Sequence, residues 1–71
     1  MAFNVMETVC VSGTYATSNT SKSSYKLALD HLYTQAKSDL ASDNISYCQI
    51  SIQNEKGQTV KVEVVKPLMI T

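Results

Sequence analysis

The sequence predicts one α+β domain over residues 1–71, with strands and a helix in the order β-α-β-β. Two observations lead to this fold class. Apolar residues recur at spacings of three and four in residues 24–41, and they alternate with polar residues on both sides of that segment. A chain of 71 residues has room for one small core. We therefore expect a three-stranded antiparallel sheet of order 1-3-2 with the helix packed on one face.

Residues 3–15 are predicted to form the first strand, because β-branched residues are frequent there and apolar residues alternate. Its apolar face is interrupted by Glu7 and consists of Phe3, Val5, Val9, Val11 and Tyr15. Residues 16–24 are rich in Ser and Thr and have no periodicity, so we interpret them as a flexible loop. One of the serines near its end, Ser21, Ser23 or Ser24, is expected to cap the helix that follows.

The helix is the clearest element and is predicted over residues 24–41. Its apolar stripe consists of Tyr25, Leu29, Leu32, Ala36 and Leu40. Such a stripe is typical of a helix that packs one side against a core. The sequence Ser42-Asp43-Asn44 favours a turn, so the helix should end near Ala41.

Two further strands are predicted at residues 45–54 and 58–66. Cys48, Ile50 and Ile52 share one face of the first of these strands. The other strand shows the alternation of a half-buried strand, with Val60, Val62 and Val64 separated by Lys61 and Glu63. Gly57 lies between the two strands and can supply the positive φ of a hairpin turn. Residues 67–71 begin with Pro67, which ends the last strand, and form an apolar C-terminal tail.

One helix covers only one face of such a sheet, so the other face is expected to be free for a partner. Strand two of the predicted sheet would also be an exposed edge with little charge, and such edges are protected or used. Tyr is enriched at protein interfaces, and an exposed apolar tail often marks one. The predicted partner-binding residues are Met6, Tyr33, Ile45, Tyr47, Leu68, Met69 and Ile70.

The charge composition disfavours binding to nucleic acid. Six Lys balance six Asp plus Glu, and the chain has no Arg. Arg is the preferred residue for phosphate and guanine, and nucleic-acid-binding domains usually show a basic stripe. The lysines are scattered along this chain. Stacking of single-stranded bases on Tyr33 and Tyr47 is the one route that stays open.

Cys10 and Cys48 do not form a CxxC pair, and with His31 they make a poor zinc set. We favour small buried apolar roles for both cysteines, and a disulfide between them is the alternative. The sequence shows neither a secretory signal nor an apolar run of about 20 residues that would span a membrane. A reducing, cytoplasmic location is therefore expected.

No catalytic residue, cofactor or metal site is predicted. Asp30 is adjacent to His31, and adjacent helix positions do not face each other, so Asp30 cannot orient this His. No carboxylate pair stands out, because turn and capping roles explain Asp39 and Asp43. Two glycines do not make a phosphate-binding loop. We expect a protein that is not an enzyme.

These observations predict a small, non-catalytic protein-binding module that self-associates or occupies the surface of a partner. A phage-encoded inhibitor of a bacterial enzyme or defence complex is one expected form of such a module. The alternative is an oligomeric carrier of a flavin-like small molecule. The predicted β-α-β-β order is similar to that of dodecins, whose flavin stacks on a Trp. This chain has no Trp, so the similarity is limited to the order of elements.

Overall fold

The computed structural model describes residues 2–66 as a four-stranded antiparallel sheet with one helix. The elements are β1 (Phe3–Val11), β2 (Thr14–Lys22), α1 (Tyr25–Ala41), β3 (Ile45–Gln53) and β4 (Thr59–Lys66). The strands lie in the order β2-β1-β3-β4. The α+β class is confirmed. The predicted three-stranded sheet of order 1-3-2 was wrong, because β2 adds a strand and β1 lies beside β3 instead of β4.

The predicted first strand at residues 3–15 was wrong at its end, because β1 stops at Val11 and Tyr15 belongs to β2. β2 also occupies most of the predicted flexible loop at residues 16–24, so that prediction is corrected. Ser12 and Gly13 have φ angles of 52° and 81°, and the chain reverses there in a two-residue hairpin turn. The nine residues of β2 then pair with β1 without a register shift. Most of them are exposed. β2 is therefore stabilised by backbone pairing and by the strand preference of its threonines, and burial contributes little.

α1 begins and ends within one residue of its predicted bounds. The Ser24 hydroxyl accepts a hydrogen bond from the Leu27 N–H at 3.2 Å, so Ser24 is the cap among the three candidate serines. Leu32 is fully buried, as predicted, whereas Leu40 is 62% exposed. The predicted apolar stripe was thus wrong in the last turn, where Asp39 contacts the sheet instead. Within residues 2–66, no helix is both long and apolar enough to cross a lipid bilayer.

β3 lies inside the sheet, paired with β1 on one side and with β4 on the other. The predicted exposed edge at residues 45–54 was therefore wrong, and the edges of the sheet are β2 and β4. The turn from β3 to β4 is as predicted, with Gly57 at a φ of 77°. Asn54 organises this turn, because its side-chain oxygen accepts the N–H groups of Lys56 and Gln58 at 3.0 Å each.

The core fills the space between α1 and one face of the sheet. Its buried residues are Val5, Ala28, Leu32, Cys48, Ile50 and Ile52. Burying one large aliphatic side chain stabilises a fold by roughly 1.5–3 kcal/mol. A domain of this size has only a modest total stability, so each of these side chains matters individually.

The two faces of the sheet carry different residues. The register places Glu7 opposite Ile50 on β3, and Ile50 opposite Glu63 on β4, so these charged residues share the helix-covered face with the core. Val62 and Val64 lie on the other side and are 49% and 52% exposed. The alternation predicted for β4 is present, but Val62 and Val64 point away from the helix, whereas Val65 packs against the core. We call the uncovered side of the sheet the open face.

Candidate protein-binding face

The open face is built from alternate residues of all four strands, because side chains of a strand alternate between the two faces. Within the described part of the chain, this face carries no charged side chain. The residues on it are Asn4, Met6, Thr8 and Cys10 of β1, Tyr15, Thr17, Asn19 and Ser21 of β2, Tyr47, Gln49, Ser51 and Gln53 of β3, and Thr59, Val62 and Val64 of β4. The charged strand residues all lie on the helix-covered side: Glu7, Lys22, Lys61, Glu63 and Lys66.

Short polar side chains pair across strands in the middle of the open face. The hydroxyl oxygens of Thr8 and Thr17 are 3.2 Å apart, within hydrogen-bonding distance. Asn4 Nδ2 donates to Asn19 Oδ1 at 3.1 Å. These contacts restrict the rotamers of side chains that would otherwise be free on the surface.

Two tyrosines lie at one end of the open face. Tyr15 and Tyr47 pack edge to face, with ring centroids 6.1 Å apart. Cys10 lies opposite both of them in register and is only 4% exposed. The Tyr47 hydroxyl donates to Gln49 Oε1 at 2.5 Å. The pair is a rigid, half-polar surface of the kind found at protein interfaces.

The predicted partner-binding residues do not form one surface. Met6 and Tyr47 lie on the open face. Ile45, which was expected there, packs partly buried against the core. Tyr33 lies on α1, where the Lys61 ammonium is 5.9 Å from its ring centroid. The remaining three, Leu68, Met69 and Ile70, lie outside the described residues.

A polar cluster lies between α1 and the sheet, and the sequence analysis did not predict it. A carboxylate oxygen of Glu7, a carboxylate oxygen of Asp39 and the Cys48 Sγ all lie within 4.8 Å of one another. The Cys48 thiol donates to Asp39 Oδ2 at 3.0 Å. Oriented to satisfy both of its ends, the Gln35 amide donates to the two Glu7 carboxylate oxygens at 3.0 and 2.9 Å and accepts from His31 Nε2 at 3.3 Å.

The pKa values of two groups in this cluster are raised. Burial raises the pKa of Glu7 to about 7, and the hydrogen bond and negative charge of Asp39 add to the rise, while the Ser18 hydroxyl opposes it. Burial likewise raises the pKa of the Cys48 thiol to about 12, and Asp39 contributes again. The Cys48 thiol therefore keeps its proton at neutral pH, and the Glu7 carboxyl loses its proton at a much higher pH than an exposed carboxyl does.

The cluster acts chemically as an internal hydrogen-bond network. Among the described residues, no buried side-chain nitrogen or oxygen lacks a hydrogen-bond partner. Lys66 Nζ donates to the carbonyls of Ser42 and Ile45 at the end of the cluster. The expectation that no carboxylate pair stands out was wrong, because Asp39 pairs with Glu7. A spacing of four residues along α1, at His31, Gln35 and Asp39, was the signal in the sequence.

The two cysteines are free and buried, which confirms the favoured prediction over a disulfide. The register explains why they are not bridged. Val9 lies opposite Cys48 and Cys10 lies opposite Tyr47, so the two thiols project from opposite faces of the sheet.

A pocket of about 180 Å³ lies where the N-terminus meets the β3–β4 turn. Its lining residues are Ala2, Phe3, Asn54, Glu55, Lys56 and Gln58. Drug-sized ligands and cofactors usually occupy sites of about 300–1,000 Å³. This pocket is smaller than such sites.

Comparisons with known proteins return neither a matching family model, nor a curated protein, nor a solved structure. The similarity to dodecins rested on the predicted β-α-β-β order. The observed order, β-β-α-β-β, removes it. The function must therefore be argued from the surface itself.

Proposed function

We propose that this chain is a non-catalytic protein-binding module that engages its partner through the open face. The observation that carries the proposal is the distribution of charge. Every strand residue with a charge lies on the helix-covered side, while the described part of the open face is uncharged. In a half-covered sheet the solvated face usually carries the polar and charged residues of the strands. Here the apolar core lies under the helix as usual, but the charged residues lie on that side as well.

The composition of the open face supports a protein as the partner. Interface cores are depleted in charge and enriched in Tyr and Met, and Tyr15, Tyr47 and Met6 are present here. Val62 and Val64 add aliphatic area at one edge of the face. The Thr, Asn and Gln side chains between these apolar groups can exchange hydrogen bonds with a partner, so a bound partner would leave few of them unsatisfied.

The same distribution of charge argues against single-stranded nucleic acid. Such binding combines aromatic stacking with a positively charged groove along the backbone. Tyr15 and Tyr47 supply aromatic rings, but the lysines of the strands project from the opposite side of the sheet. The two tyrosines that were predicted to stack bases, Tyr33 and Tyr47, do not lie on one surface. Tyr33 lies on the outer part of α1 and is 53% exposed, whereas Tyr47 lies on the open face.

Site-specific photocrosslinking in the cells that produce the protein tests the proposal. The crosslinking residue p-benzoylphenylalanine replaces Tyr47 on the open face in one variant and Tyr33 on α1 in the matched control. Both positions hold Tyr in the native chain, so the substitution is equally conservative. We expect adducts of defined mass at Tyr47 and background labelling at Tyr33. Equal labelling at the two positions, or none at Tyr47, would contradict the proposal.

A second substitution shows whether the adduct depends on the uncharged face. Thr8 lies at the centre of the open face, and Thr8→Lys would place an ammonium in the interface, where its desolvation is costly. We expect the Tyr47 adduct to disappear in this variant. Thr34→Lys on α1 is the matched control and should leave the adduct unchanged.

A further inference from the structure

We propose that β2 pairs with β2 of a second copy of this chain, antiparallel and about a two-fold axis at Ser18. The two sheets would then join into one continuous eight-stranded sheet. This inference goes beyond the proposed function, because it uses an edge of the sheet, while the partner occupies the open face. It rests on a difference between the two edges, on the charge pattern of β2 and on the faces that pairing would align.

The two edges of the sheet differ in how they are protected. Natural proteins protect exposed edges with charged side chains and with bulges. β4 has both. Its pairing with β3 shifts register at two places, and it carries Lys61, Glu63 and Lys66. β4 is thus poorly suited to accept another strand.

β2 has neither kind of protection over most of its length. It pairs with β1 at nine consecutive positions without a register shift, and it contains neither Pro nor Gly. Its single charged residue is Lys22, at the very end. Every second residue of such an edge directs its N–H and C=O away from the sheet, and an added strand satisfies those groups.

A second copy fits this edge because β2 is complementary to itself when it runs antiparallel. With Ser18 opposite Ser18 of the second copy, Thr17 faces Asn19 of that copy, and Tyr15 faces its Ser21. Cross-strand pairs of hydroxyl and amide side chains are favourable. Lys22 would face Thr14 of the second copy, so the two Lys22 ammonium groups would lie at opposite ends of the pair, roughly 27 Å apart at about 3.4 Å per residue.

Pairing through β2 would place the open faces of the two copies on the same side of the joined sheet. Thr17 and Asn19 both project from the open face, so a pair between them keeps the open faces of the two copies on the same side. The dimer would present one uncharged surface of double width. One symmetric partner that contacts both open faces at once would then bind with a gain in avidity.

Disulfide trapping with the full chain tests the pairing directly. In an antiparallel pair, residues that face each other have Cα atoms about 4.5–5.5 Å apart. This separation falls within the range of about 4.4–6.8 Å that a disulfide requires. Ser18→Cys should therefore give an intermolecular disulfide under mild oxidation. Val62→Cys, at the centre of the other edge strand and also exposed, is the matched control. The native Cys10 and Cys48 are buried and stay in place.

We expect Ser18→Cys to crosslink at least about tenfold faster than Val62→Cys, because β4 does not bring two copies into register. Equal rates, or a faster rate for Val62→Cys, would overturn the inference.

Sedimentation equilibrium of uncrosslinked protein gives an independent measurement. Ser18→Lys would place two ammonium groups directly opposite each other, and like charges in that position are destabilising. We expect this variant to raise the dimer dissociation constant by up to about fivefold, whereas Val62→Lys should change it by less than about twofold. A native chain that stays monomeric at millimolar concentration overturns the dimer. Crosslinking of a partner at Tyr47 would be unaffected by that outcome, so the two proposals fail separately.

Discussion

The two faces of this sheet are made of the same four strands but carry different kinds of side chain. The helix-covered face combines a small aliphatic core with the charged residues of the strands and a proton-sharing cluster around Glu7. The open face has no charge within residues 2–66 and mixes Tyr, Val and Met with short polar side chains. The covered face is thus the more charged of the two, although the charged residues of a half-covered sheet usually lie on its solvated face.

The difference shows that burial in the folded chain accounts for the aliphatic residues of the helix-covered face but not for those of the open face. Ile50 and Ile52 are fully buried against α1, and their removal from water stabilises the fold. Val62 and Val64 gain much less stabilisation in the isolated chain, because about half of each residue is exposed. Their presence on an uncharged surface is the physical basis of the proposed function.

The strongest test of this contrast compares one aliphatic residue from each face. Ile50→Ala should lower the free energy of unfolding by about 2–5 kcal/mol, because it removes a side chain from the core and leaves a cavity. Val62→Ala should lower it by less than about 1 kcal/mol, since its side chain is half exposed in the monomer. Urea denaturation followed by circular dichroism measures both, at a concentration where the chain is monomeric.

Ile50→Val is the graded variant for the case in which Ile50→Ala does not fold, with an expected loss of about 0.5–1.5 kcal/mol. A loss for Val62→Ala equal to that for Ile50→Ala would show that both faces are buried in the isolated protein. The comparison on which the proposed function rests would then be removed.

Parts of the fold were predictable because they leave a pattern of burial in the sequence. α1, β3 and β4 were located within a residue or two, since each alternates or repeats at the period of its secondary structure. β2 was missed because Thr14–Lys22 is polar on both faces, and an edge strand that buries little shows no periodicity. Only the Ser-Gly turn before it and its threonines were signals.

The orientation of β4 was not predictable from alternation. Period two tells which residues share a face, but not which face meets the helix. At this edge of the sheet the helix-covered side accommodates Lys61 and Glu63, because their long side chains can reach water past α1. The open face could therefore be found only after the register was known. The polar cluster had a weak signal, since Glu7 interrupts an apolar face and Asp39 lies eight residues after His31.

Glu7 on the helix-covered face should make the stability of the fold depend on pH. The pKa of Glu7 is raised from 4.5 to about 7 in the folded chain. Between these two values the folded state binds more protons than the unfolded state, so the stabilisation from Glu7 is complete below pH 4.5 and is lost as the pH rises through 7. We expect the free energy of unfolding to fall across this window by on the order of 1 kcal/mol, because solvent screening weakens the effect for a half-buried carboxyl.

Glu7→Gln tests this origin, because Gln is the uncharged isostere of protonated Glu. The variant should lose most of the pH dependence and be more stable than the native chain at pH 8. Glu63→Gln, on the same face at the edge, is the control and should keep the native pH profile. A native-like slope in Glu7→Gln would show that Glu7 is not the titrating group.

The smallest expected effect belongs to the centre of the open face. Thr8→Lys gives up the contact with Thr17 and places a flexible ammonium on a surface that faces water in the monomer. Surface substitutions of this kind usually change the free energy of unfolding by less than about 0.5 kcal/mol. Denaturation of the monomeric variant beside Thr34→Lys measures it. A cost of several kcal/mol for Thr8→Lys alone would mean that the open face is covered within the chain, and a negligible cost leaves its uncharged composition to be explained by a partner.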